Sequence, residues 1–178
     1  MPIALPVIAD QLGVGGQLLE RLPMPALAEQ ATLGHVHVEL DQDGVGRSVF
    51  LSAGLGEPRW ETLAAALLVA AGERGPVLGP TEVPVPQQWV RRERMLVPFH
   101  GPAGTFDTVS FVEVLNGTIS SEAIKGRLVL VGATASGLGD DIPTPVSGHG
   151  RFMPGVEFNA NVLQAIREGR LILSLIHI

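Results

Sequence analysis

RLVLVGATASGLGDDIPTP, Arg127 to Pro145, is the stretch whose reading decides the fold. Its opening run, Leu128-Val129-Leu130-Val131, is apolar without alternation, which predicts a short strand buried on both faces. Gly132, Gly137 and Gly139 let the chain turn sharply and approach another group closely. Asp140-Asp141 then tip the bend, Thr144-Pro145 closes it, and a helix signal follows at Pro154-Gly155. Strand, long loop, helix is the unit that places a ligand outside the carboxyl end of a buried strand. The expectation is therefore α/β: a single domain, a mixed β-sheet with helices packed on its faces, and Leu128–Val131 near the middle of that sheet.

Outward from this stretch the chain carries clear punctuation. Downstream, residues 154–169 form an amphipathic pattern with Val156, Ala160, Leu163 and Ile166 as the inner stripe and Asn159 on it. An unsatisfied buried amide costs about 1–3 kcal/mol, so Asn159 is expected to tie the helix to the preceding loop. Glu157 and Asn161, four apart, share the flank. Upstream, Ser110 is an N-cap for Phe111–Leu115 and Gly117 its stop, and Ser120 to Gly126 is a second helical turn. Arg94–Phe99 reads as a strand, 75–86 as a proline-rich loop, and 60–72 as an apolar helix buried against the sheet and ended by Gly72. His35–Leu40 alternates, which predicts a strand with one wet face carrying His35 and His37. Asp41-Gln42-Asp43-Gly44 turns it into a returning strand over 46–53. Near the start, Ile3–Ile8 reads as a strand and Pro25–Ala31 as a short helix with Gly34 beyond its end.

Composition narrows the function classes. The 178 residues suffice for one domain with a real core, and 46% hydrophobic content fits a folded chain. Net charge is −6 and the one basic cluster, Arg91-Arg92-Glu93-Arg94, carries an acid, so it reads as a solvated loop or strand edge and the footprint of a nucleic-acid partner is missing. There is no cysteine, which removes disulfides, thiolate metal sites and cysteine nucleophiles. The apolar run 171–178 is shorter than the roughly 20 residues that span a bilayer. It reads as the start of a truncated transmembrane helix, with a C-terminal strand as the alternative, leaving 1–170 as the folded domain.

The chemistry-bearing residues were tested against known patterns. Gly132 to Gly139 is neither G-x-G-x-x-G nor a P-loop, and no basic residue there meets a phosphate. Ser136 lies outside a G-x-S-x-G elbow, and Ser136 with His149 does not make a triad. Asp140, Asp141 and His149 are available to a hard cation, but an Asx-type turn in which an aspartate caps loop amides explains the acids without metal. His35 and His37 lack a third ligand nearby in sequence. The reading is no catalytic residue, no metal and no cofactor.

An ordered set of segments gives a more specific signal. Asp43-Gly44-Val45-Gly46-Arg47, Phe111 to Gly117, Lys125 to Thr134, Gly139-Asp140 with Thr144-Pro145, and Pro154-Gly155-Val156-Glu157 with Asn159-Ala160-Asn161 together resemble the second type of CHASE domain, the cyclases/histidine kinases-associated sensory extracellular domain. The resemblance spans residues 30–170. One departure is Asn159, which stands where that family usually has histidine. The resemblance implies a sensory domain on the extracytoplasmic side of a bacterial cell membrane, not an enzyme. Its partners would be an unknown small-molecule or protein stimulus, its own transmembrane helices, and a cytoplasmic output such as a cyclase, diguanylate cyclase, histidine kinase or serine/threonine kinase. A homodimeric receptor fits that role. Candidate ligand contacts are Thr134, Asp140, Asp141, Thr144, Asn159 and Asn161, with Gly132, Gly137, Gly139, Pro145 and Gly155 shaping the loop. The alternatives are a small enzyme or nucleotide-binding domain that uses the 132–145 loop, a structural periplasmic dimerisation module, and a soluble domain that ends in an apolar strand.

Overall fold

The computed structural model describes residues 2–11, 16–79, 84–135, 140–148 and 151–173. Strand β1 (Ala4–Gln11) pairs antiparallel with β2 (Leu18–Arg21) and parallel with β3 (Thr32–His35), giving the order β2-β1-β3. The connection to β3 includes a short helix, α1 (Pro25–Ala28), with proline in its first turn. A second sheet follows from β4 (Ser48–Leu55), β5 (Trp60–Glu61), β6 (Trp89–Leu96) and, late in the chain, β9 (Ile172–Leu173), in the order β5-β4-β6-β9. The isolated bridge His35–Thr62 ties the first sheet to the end of β5 in the second, and Glu39–Ser48 closes the hairpin ahead of β4. The Glu20 carboxylate joins them again: it accepts from Leu55 N (2.6 Å) and Trp60 Nε1 (3.1 Å) and pairs with Arg59. One parallel and several antiparallel pairings make the architecture a mixed α/β one, as expected.

Helix α2 (Leu63–Ala70) starts at Thr62, whose hydroxyl accepts from Ala65 N (3.1 Å), and stops before Gly72, which has φ +80°. It packs on β1, β3 and α4 (Gly155–Arg167). The approach to β3 is tight: a Cβ on Gly34 would lie 2.7 Å from Leu63 Cα and 2.8 Å from Ala66 Cβ. Gly34 therefore serves sheet–helix contact inside β3 and not, as its position after α1 suggested, a helix stop. The core is Val49, Leu68, Val97, Met153, Phe158, Val162 and Leu163 with the alanines of α2. Full burial of a side chain such as Leu68 or Phe158 contributes about 1.5–3 kcal/mol.

One histidine and the arginine cluster depart from expectation. His35 is wholly buried, because the strand that carries it ends at the α2 junction and not on a wet face. Its Nε2–H donates to Phe50 O (3.0 Å). The arginine cluster sits in β6, inside the second sheet, and each cation has a partner: Arg91 with Glu39 (2.5 Å), Arg92 with Glu93 (3.2 Å) and Gly79 O (2.6 Å), Arg94 with Asp41 and Ser48.

The main correction concerns Leu128–Val131. It is not a strand, and Val129 and Val131 are 47% and 75% exposed. A strand needs a ladder partner, and no backbone group of residues 128–135 hydrogen-bonds to a described residue. The segment is anchored on one side only, Leu128 and Leu130 packing against the core. The helical turns before it, α3 (Phe111–Leu115) and the 3₁₀ turn Ser121–Ala123, form where Ser110, Gly117 and Gly126 predicted, with a Ser110–Glu113 capping box on α3. Their side chains contribute nothing to the core; Phe111 and Leu115 are exposed.

Candidate functional site

The first two turns of α4 form a joint that receives two loops directly, and a third docks on Pro143 beside it. The helix begins at Gly155, directly after a two-stranded ribbon of β7 (Asp141–Ile142) with β8 (Met153–Pro154). Gly155 N donates to Asp140 O (2.8 Å), and a Cβ on Gly155 would lie 2.3 Å from Asp140 Oδ1. Only glycine lets the Asp140 carboxylate rest on the helix start. Burial, and then the neighbouring Asp141 charge, push the Asp140 carboxyl above its ordinary value. One residue on, Val156 Cβ lies 2.6 Å from where a Cβ on Gly132 would be, so the chain after Val131 runs close against the helix.

Glu157 and Asn161 hold a second loop. The Glu157 carboxylate accepts from Gly104 N (2.8 and 2.9 Å) and Thr105 N (3.0 Å). Asn161 is 1% exposed; its Oδ1 accepts from His100 N (2.9 Å) and its Nδ2 donates to Glu157 O (3.0 Å) and contacts Met153 Sδ (3.4 Å). Of the expected inner stripe Leu163 is buried in the core, but Val156, Ala160 and Ile166 are only half-buried; Phe158, Asn161, Val162 and Ala165 join Leu163 there, and Asn159 is half-buried, donating to Gly155 O (2.9 Å) within its own helix. The amide that ties helix to loop is Asn161, and the loop is 97–105.

The third loop is the hairpin turn at Asp41–Arg47. Asp41 N donates to Val45 O and Gly44 N to Asp41 O. Arg47 grips Asp43 with two bonds (2.8 and 2.7 Å) and reaches Asp41 (2.8 Å). This bidentate bond holds the Asp43 carboxyl down to about 2. Gly46 N donates to Pro143 O (2.7 Å), so the hairpin docks on the Thr144-Pro145 loop. Thr144 is 5% exposed, bonded to Ser147 Oγ through both its N (3.0 Å) and Oγ1 (2.9 Å), and Pro145 stands exposed beside it.

Segments far apart in sequence are therefore linked in a row of contacts: Gly132 and Asp140 lie on Gly155–Asn161, and Asp43–Arg47 docks on Pro143 next to Thr144-Pro145. Of the residues expected to contact a ligand, Asp140, Asp141 and Thr134 reach solvent, while Thr144 and Asn161 are enclosed and bonded to protein. Gly137, Gly139, Ser136 and His149 lie outside the described residues. Among the described residues no group of His, Asp and Glu is arranged to hold a metal ion, and no helix is long and apolar enough to cross a membrane. The roles of Glu157 and Gly46 were missed. A glutamate in a first helical turn reads from sequence as dipole compensation, and nothing local indicates that it also chelates two amides of a distant loop.

No curated protein and no solved structure matches the chain. The family assignment does not depend on the buried strand that failed to appear. A model of the CHASE2 domain matches residues 6–176, nearly the whole length, and embraces every segment that converges on α4; the chain belongs to the CHASE2 domain family, extracellular sensory domains of receptors.

Proposed function

We propose that this chain is the input domain of a membrane-bound bacterial receptor, on the extracytoplasmic side, upstream of a cyclase, diguanylate cyclase, histidine kinase or serine/threonine kinase. The carrying observation is the joint at α4. Its polar groups are engaged in holding loops to a helix: Asp140 on Gly155, Glu157 on Gly104 and Thr105, Asn161 on His100. Such an arrangement suits a binding module that changes shape better than one that breaks bonds. A stimulus that binds one arrangement of these loops more tightly shifts the population of the domain. Helix α4 then carries the shift from Gly155 to Arg167, and the chain continues through β9 toward the membrane-spanning part of the receptor.

Asp140 is the test residue, since it is solvent-accessible and packs on the start of α4. In the full-length receptor, Asp140→Ala lowers the stimulus-dependent change in output, read as cyclic-nucleotide synthesis or autophosphorylation. An Asp140→Ala receptor with wild-type melting and wild-type output overturns the proposal.

A further inference from the structure

A second site lies on the opposite side of the β4–β6 sheet from α4. It is a cleft of about 510 Å³ lined by Glu39, Leu40, Asp41, Phe50, Trp89, Arg91 and Arg94, among others. This volume falls in the range of small-molecule pockets, about 300–1,000 Å³. None of the segment motifs described above except Asp41's hairpin touches it.

The strand that supplies Trp89, Arg91 and Arg94 carries an unusual backbone residue. Glu93, in the middle of β6, has φ +56°. That left-handed conformation is unfavourable for a non-glycine residue, and strain of this kind gathers at functional sites. In a regular strand Arg94, Arg92 and Val90 would share a face. The β4–β6 register is the same on both sides of Glu93, and Arg94, Arg91 and Trp89 all reach the cleft, while Met95 and Leu51 line a groove beside α4. Glu93 is held in place by Gly79 N (2.6 Å).

The groups so gathered are specific in kind. Phe50 and Trp89 supply aromatic surface; the Arg91 guanidinium lies 5.4 Å from the Phe50 ring centroid, and the His37 ring lies 5.9 Å from that of Trp89, tilted by 58°. The Trp89 Nε1–H is buried and has no acceptor among the described residues. Arg91 and Glu39 form a single-contact pair (2.5 Å) whose side chains are 37% and 42% exposed. A pair this exposed adds little to stability, so it opens readily to a competitor. Arg94 and Asp41 form a deeper pair, with Asp41 shared by Arg47. Charges therefore balance within the cleft. A ligand with one charge would pair with Arg91 or Glu39 and leave the other facing it unpaired. A ligand with both charges satisfies the two together.

We propose that this cleft binds a small zwitterion, a free α-amino acid with an apolar side chain, its carboxylate on Arg91, its ammonium on Glu39 and its body against Phe50 and Trp89. The site also has a mechanical outlet. Trp89, Arg91 and Arg94 belong to the strand whose last residues, Met95 and Leu96, pair with β9, and Arg94–Asp41 leads through the hairpin to Pro143. As a stimulus this ligand rests on the sensory reading above, but its binding is measured without any receptor.

The experiment is the thermal melting of the 178-residue chain with each common free amino acid in turn, followed by calorimetry. At least one apolar amino acid raises the melting temperature. Its carboxamide and its N-acetyl derivative, each missing one charge, do not. Arg91→Met and Glu39→Gln, checked as folded by circular dichroism, each weaken binding at least about tenfold, which is about 1.4 kcal/mol. Absence of a shift with every amino acid, equal binding of either capped derivative, or wild-type affinity in both variants overturns the proposal. Failure here with an Asp140→Ala effect on receptor output intact removes the cleft alone. Binding here without that effect removes the proposed signalling role of the α4 joint instead.

Discussion

Acidification is the perturbation that the interior resists least. His35 is wholly buried between β3, β4 and α2. A carbonyl can only accept, so the Nε2–H of His35 is the donor to Phe50 O and Nδ1 carries the lone pair. Nδ1 is buried and has no partner among the described residues. Protonation would place a charged donor there with nothing to receive it. Burial accordingly lowers the imidazole from its ordinary 6.5 to about 4, against a smaller opposing effect of the Phe50 bond. Since the unfolded chain takes up this proton near 6.5 and the folded one near 4, the unfolded state binds more protons between those values, and stability falls as pH drops through that window. The gap corresponds to about 3 kcal/mol, a large share of the 5–15 kcal/mol or so that holds a typical domain. His37 is also lowered, first by burial and then by the Arg91 charge, and adds in the same direction. Glu61 and Asp140 are raised by burial and act in the opposite sense near the acid end. A His35→Gln variant separates them, for glutamine donates to Phe50 O and does not titrate. Urea unfolding of both proteins at steps from pH 7.5 to 4 should show the wild type losing about 3 kcal/mol more than the variant across the window. Parallel pH profiles would refute the argument.

Other consequences are simpler to measure. Asn161→Ala leaves His100 N without its acceptor and should destabilise the domain by about 1–3 kcal/mol in urea, whereas Asn159→Ala, whose bond among the described residues is within α4, should change stability by under about 1 kcal/mol. Val131→Ser should stay within about 0.5 kcal/mol of wild type, because the side chain faces water; a loss of several kcal/mol would mean that the segment is a buried strand after all.

The parts that were legible in the sequence are those whose cause is local. Ser110, Glu113 and Gly117 define α3 within eight positions of one another, and Asp41 to Gly44 define the hairpin in four. The parts that were not legible depend on a distant partner. Leu128–Val131 has the composition of a central strand, but composition cannot say whether another strand lies beside it. Asn159 and Asn161 differ by about 200° around a helix, and the apolar pattern did not fix which of the two turns inward, because Phe158 and Val162 outweigh Val156 and Ile166 once α2 is present to receive them. His35 looked solvent-facing because the alternation of 35–40 was read as one strand, while the ladder stops at His35. The candidate site was half visible: its segments were singled out individually, and the row of contacts linking them was not, since Gly46 N to Pro143 O joins residues 97 apart in sequence.

The positive φ at Glu93 sets two opposed demands on one position. Glycine would suit that backbone best, yet only a side-chain carboxylate ties Gly79 N to the sheet. Comfort of the main chain and the tether to the stretch before β6 therefore pull the choice of residue in opposite directions.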